Sequence, residues 1–193
     1  MRSSWKIGVM ALVTAGAVLG SMTRSKTVEA AAFTLTSSAF KNNAAIPEKY
    51  AFNQMGCTGQ NVSPPLEWKN VPAGTKSLAL MVHDPDAPTG SGWWHWVVYN
   101  IPASATELPE GAGTADGKGL PAGSAQGNTD FGSPGFGGAC PPKGDKPHRY
   151  IFTVYALKTD KLDIPAGATA ALVGFMINAN KLGAASFTAK YGR

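Results

Sequence analysis

Apolar and polar residues alternate through "FTLTSSAF" (33–40), which predicts a first strand, and "IPEKYAF" (46–52) offers a second, shorter one. The stretch "CTGQNVSPPLEWKNVPAGT" (57–75) is rich in turn formers, with "PLEW" as an edge-strand candidate. "KSLALMV" (76–82) alternates cleanly and sets Leu78, Leu80 and Val82 on one face. In "WWHWVVYNI" (93–101) strict alternation sets Val97, Tyr99 and Ile101 on one side and Trp94, Trp96 and Val98 on the other. Both faces are apolar, so this strand is expected inside a sandwich. "RYIFTVYAL" (149–157) is dense in β-branched and aromatic residues and is expected to be a central strand, and "ASFTAKYG" (185–192) a closing one.

Two segments break this rhythm. Residues 102–148 are rich in Gly and Pro and show no period. An irregular stretch of that length in a compact domain is usually functional or disordered. Its "GFGGAC" cannot be a dinucleotide fingerprint, because the "PPKGDKP" that follows cannot begin a helix. "TAALVGFMINANKL" (169–182) is the one helical pattern, with Leu172, Phe175, Met176, Ala179 and Leu182 predicted to share the core face. Thr169 is placed to cap its start and Gly183 to stop it. The fold expected is mainly β: an antiparallel β-sandwich with a long Gly/Pro-rich loop and a late C-terminal helix.

Charge changes the picture less than its total suggests. The formal net charge is +5, but Arg2, Lys6, Arg24 and Lys26 oppose only Glu29 near the N-terminus. From residue 31 onward 13 basic residues face 11 acids, so no basic stripe argues for nucleic acid. Residues 1–30 combine a positive start, the apolar run "IGVMALVTAGAVLGSM" (7–22) and small residues at "VEA" and "AAA". This reads as a secretory signal peptide cut near Ala30 or Ala32, leaving residues 31–193 as a single secreted or periplasmic domain. An uncleaved N-terminal anchor is the alternative. No later segment is apolar for long enough to cross a bilayer, so no stable span is expected after cleavage. Export gives the two cysteines meaning: Cys57 and Cys140 are expected to form a disulfide, with two buried thiols as the alternative. Closing such a loop is worth about 4.5 kcal/mol in the chain-entropy account.

Candidate chemistry collects at three strand ends. In "DPDAP" (84–88) two prolines stiffen the backbone and display Asp84 and Asp86, although Asp and Pro also make ordinary turns. His95 lies mid-strand among tryptophans, where it shares a face with Trp93 and Val97 by alternation and is either a core histidine or a pocket group. "CPPKGDKPHRY" (140–150) delivers His148 and Tyr150 on one face and Arg149 on the other. Asn61 opens a formal glycosylation sequon, "NVS", which the following Pro64 disfavours.

These motifs together resemble the phosphatidylethanolamine-binding proteins, above all their bacterial, Raf-kinase-inhibitor-like branch. The resemblance rests on "DPDAP", "WHWVVYNIP" (94–102), "PPKGDKPHRYIFTVYAL" (141–157) and "NVSPPLEW" (61–68), spread over residues 33–190. It implies an antiparallel β-sandwich with a small pocket for phosphate-like groups lined by Asp84, Asp86, His95, His148 and Tyr150. It also implies a protein partner of kinase or protease type. Many relatives carry Gly where Cys140 stands, and a cysteine there narrows the pocket mouth against large lipids. Carboxylates beside an anion repel it unless they hold a cation. The arrangement expected is therefore Asp84 facing a histidine and keeping it an imidazolium, with that histidine and the Tyr150 hydroxyl donating to the anion. A non-catalytic binding protein follows, since no G-x-S-x-G, P-loop or H-E-x-x-H supplies an enzyme mechanism and no cofactor motif occurs. The competing readings are a secreted protease inhibitor and a metal site built from His83, His95, His148 and the two acids. His83 argues against the metal, because alternation turns it away with Met81.

Overall fold

The computed structural model describes Met1, Ser4 and residues 31–193, so the signal-peptide expectation falls outside the described residues. The described residues form eight strands, β1 (Thr34–Thr36), β2 (Leu66–Lys69), β3 (Ser77–Asp84), β4 (Trp93–Pro102), β5 (Glu107–Leu108), β6 (Ala125–Gln126), β7 (His148–Leu157) and β8 (Lys181–Tyr191), and one α-helix, α1 (Ala170–Asn180). They form a three-stranded sheet ordered β1-β2-β5 and a five-stranded sheet ordered β6-β4-β3-β7-β8. All strand pairs are antiparallel. The molecule is the expected mainly-β sandwich, with residues 31–193 forming one compact unit.

The larger sheet is covered on both faces. Leu78, Leu80, Val82, Trp96, Val98 and Phe152 meet Leu35, Leu66 and Trp68 of the small sheet. On the other face Ala79, Met81, Val97 and Tyr99 meet Val173 and Ile177 of α1. This double cover explains why β3 is buried along nearly all its length.

Strict alternation fails in β4 for a physical reason. Its pairing with β3 slips twice, between Leu78 and Leu80 and between Val82 and His83. At the first slip Asn100 takes a left-handed φ of 56°, and its amide binds both the carbonyl and the N–H of Leu162. Ile101 is thereby turned into the core with Trp96 and Val98, not with Val97 and Tyr99 as alternation predicts. At the second slip Val82 pairs Trp96 and His83 pairs Trp94, which leaves His95 as the extra residue. Trp94 then packs with Val97, on the face opposite Trp96.

Other expectations are also corrected. Residues 46–52 hold a 3-10 turn at Glu48–Tyr50, because Pro47, lacking a donor, starts a turn whose carbonyl accepts from Tyr50. The first strand stops at Thr36, where Ser37 binds Pro65 O and the Ala39 amide. "PLEW" is the middle strand of its sheet, not an edge. The Gly/Pro-rich loop carries β5 and β6, one in each sheet, so it stitches the two layers. Thr169 caps α1 as expected, but the buried face is Ala170, Val173 and Ile177, while Leu172, Phe175 and Leu182 are exposed. Gly183 is no helix stop: the chain turns extended at Lys181 and Gly183 pairs Ala156 within the sheet.

Candidate functional site

The bulge decides where His95 goes. Freed from the β-ladder, its carbonyl accepts from Gly137 N–H at 2.8 Å, while its ring Nδ1 lies 2.7 Å from Gly137 O. A carbonyl can only accept, so Nδ1 carries the proton and Nε2 is left with the lone pair. Asn61, at φ 54°, fixes this clamp: its amide donates to Phe136 O and accepts from Gly138 N–H. The Phe131 ring packs edge-on against His95, and a Cβ on Gly137 would run into it. The His95 imidazole is buried, and desolvation holds its pKa down at about 4 against the weaker pull of the Gly137 bond and the Asp84 charge. His95 is therefore neutral at pH 7, and it is not the histidine that faces Asp84.

The acid facing a histidine is Asp84, and the histidine is His148. Their Oδ2 and Nδ1 are 2.8 Å apart, both side chains 3% exposed. The other Asp84 oxygen accepts from Asp86 N–H, as a rigid Asp-Pro-Asp turn permits. His148 Nε2 lies 3.5 Å from Asp145, so both its nitrogens face carboxylates. Asp86 is not part of this cluster. Arg149 grips it at 2.7 and 2.9 Å on the outer surface, and that charge-assisted pairing holds its carboxyl well below the usual range. Arg149 thus points away from the pocket, as its place on β7 predicts.

Asp84, His95, His148 and Tyr150 border one cavity of about 160 Å³, the space of roughly five waters. Met55, Cys140, Pro141 and Pro142 also line it. Cys140 is bonded to Cys57 with a Cα separation of 5.9 Å, so the disulfide ties the "CPPKG" loop of the cavity wall to the segment that leads into "NVSPP". Three polar atoms on residues lining the cavity are buried with no hydrogen-bond partner among the described residues: His95 Nε2, Tyr150 Oη and Trp93 Nε1. Burial, then the nearby Asp84 charge, pushes the Tyr150 phenol far up, so it stays protonated, with the Asp84 carboxylate and the Cys140 backbone its nearest polar neighbours. A wider groove of about 680 Å³ adjoins through Met55, Trp93 and Phe131. His83 lies elsewhere, stacked on Trp94 at 4.1 Å, and among the described residues no three His, Cys, Asp or Glu converge on a metal position.

The sequence motifs thus deliver four of five expected residues to one cavity. They miss Gly137, Asn61 and Trp93. Trp93 enters the sequence reading only as a neighbour of His95 on its strand, whereas the His95–Gly137 clamp and the Asn61 bonds that hold it join residues far apart in the chain.

A three-stranded and a five-stranded antiparallel sheet with a small polar cavity define the class of fold, a two-sheet β-sandwich. Within it, the family model described as phosphatidylethanolamine-binding protein matches residues 36–192, and the chain belongs to that family. It is 56% identical over 163 residues to the UPF0098 protein YbcL of Escherichia coli, covering 84% of this chain and 89% of the relative. It is 49% identical over 157 residues to YbhB of the same organism, covering 81% and 98%. The crystal structure of E. coli YbcL, described as a new member of the mammalian PEBP family, superposes with a TM-score of 0.83, covering 84% and 99% of the two chains. CT736 of Chlamydia trachomatis, described as a putative PEBP homologue, is 34% identical with a TM-score of 0.70, covering 84% and 98%.

Proposed function

We propose that this protein is an exported, non-catalytic binder of small oxyanions, phosphate-bearing ones in particular, held at Tyr150, His95 and Trp93. The observation that carries this is that three residues lining one small cavity, Trp93, His95 and Tyr150, each hold a buried polar side-chain atom with no hydrogen-bond partner among the described residues. Leaving such atoms unpaired costs about 1–3 kcal/mol each, which a ligand recovers when its oxygens accept from Tyr150 Oη–H and Trp93 Nε1–H and a hydroxyl of its own donates to His95 Nε2. Asp84 and His148 serve as scaffold: the acid's charge is engaged by the histidine and a backbone amide, so it opposes an incoming anion less than a free carboxylate would. Phosphate titrated into the protein at pH 6 by calorimetry tests the reading. Tyr150→Phe should lower affinity about tenfold or more, the worth of a hydrogen bond to a charged group. A wild-type protein silent to millimolar phosphate, or a Tyr150→Phe variant binding as well as wild type, sinks it.

Export rests on residues 1–30 and is supported by the disulfide. Intact mass of protein recovered from the periplasm or medium should start between Ala31 and Phe33. A mass that includes Met1 leaves the anchored form.

A further inference from the structure

We infer that the pocket selects oxyanions that carry a proton of their own, that is inorganic phosphate or a phosphate monoester, over sulfate and over phosphodiesters. This rests on the anion reading above and adds to it the chemical identity of the group admitted.

The argument is one of complementary donors and acceptors. Tyr150 Oη–H and Trp93 Nε1–H are donors suited to charged oxygens. His95 Nε2 differs. Gly137 O, 2.7 Å from Nδ1, fixes the tautomer, and the reciprocal bond from Gly137 N–H to His95 O prevents the ring and its partner from drifting apart. Nε2 is therefore an acceptor, buried and without a partner among the described residues. A P–O–H group satisfies it by donating, while the remaining P–O oxygens accept from Tyr150 and Trp93. Sulfate above acidic pH, and any phosphodiester, has no such proton and sets lone pair against lone pair. Such a ligand is admitted only if Nε2 first takes a proton from water. The buried ring resists that charge, although Asp84 favours it and His83 opposes it. The same rule bears on the lipid named in the family's description, since phosphatidylethanolamine is a diester.

The test compares four small ions on the same protein at pH 6: inorganic phosphate, methyl phosphate, dimethyl phosphate and sulfate. Methyl phosphate is about half protonated there, since the second ionisation of phosphoesters lies near 6. Phosphate and methyl phosphate should bind at least tenfold more tightly than sulfate and dimethyl phosphate, the cost of one unsatisfied buried acceptor. Nitrogen-15 NMR should show His95 Nε2 still unprotonated in the phosphate complex. In His95→Gln, whose amide can donate as well as accept, sulfate and phosphate should draw level. Sulfate binding as tightly as phosphate to the wild type, with Nε2 protonated in the complex, overturns the selection while leaving anion binding intact. Binding of none of the four overturns the anion reading and this one with it.

Discussion

His95 shows how a residue's environment can invert the role its type suggests. Its folded pKa of about 4 lies below the free value near 6.5. The sign follows from proton counts. Between those values the unfolded chain binds a proton that the folded chain refuses, so stability is lost as pH falls from about 6.5 to 4 and then levels. The loss attributable to this one group is on the order of 3 kcal/mol. Urea unfolding of wild type and His95→Gln across that range should show the wild type losing more stability by that amount. A difference between the two that stays flat with pH would mean that His95 is not a neutral buried ring. Asp86 runs in the usual direction: its depressed pKa lends stability that is present above the free carboxylate value and fades as acid protonates it. That pair is half exposed through Arg149, so its share is small.

At the level of elements, helix α1 separates what periodicity can tell from what it cannot. Its eleven residues contain no charge, and apolar side chains lie all round it. A helix of that composition offers no polar face to mark the outside, so the pattern located it and misassigned its buried side. Ile177→Ala should cost about 2–5 kcal/mol, because Ile177 is packed under the sheet, whereas Phe175→Ser should change stability by no more than about 0.5. Chemical denaturation of the two variants checks the pair, and the reverse ordering would restore the predicted face. The strands β3, β7 and β8 were legible because their pleat is regular. In β4 the two slips were not, because an alternating pattern carries no mark of an inserted residue until its partner strand is known. The site was legible to the same degree. Rigid motifs such as "DPDAP" and "PPKGDKPHRY" announce strand ends, but the tautomer of His95 is set by a glycine 42 residues away.

On the scale of the whole molecule, the long Gly/Pro-rich segment is a structural member. It contributes a strand to each sheet, supplies Gly137 to His95 and sets Cys140 on the cavity wall. The disulfide that closes it links residues 83 apart, so most of the core strands form inside or across the ring. With only two cysteines in the chain, the molecule has no wrong internal pairing to choose. A reduced chain's only wrong partner is another molecule. Its oxidative folding is therefore a race between a first-order closure and a second-order collision, decided by dilution and not by reshuffling. The yield of oxidised monomer on non-reducing gels should fall as refolding concentration rises and stay indifferent to an added disulfide isomerase. A yield rescued by the isomerase at fixed dilution would point to trapped conformers inside the chain. The long interval between the two thiols also means that, during synthesis, Cys57 waits unpaired through the making of four strands, β2 to β5, and of β6 after them. For that interval a protein with an internally closed disulfide behaves as one with a single free thiol.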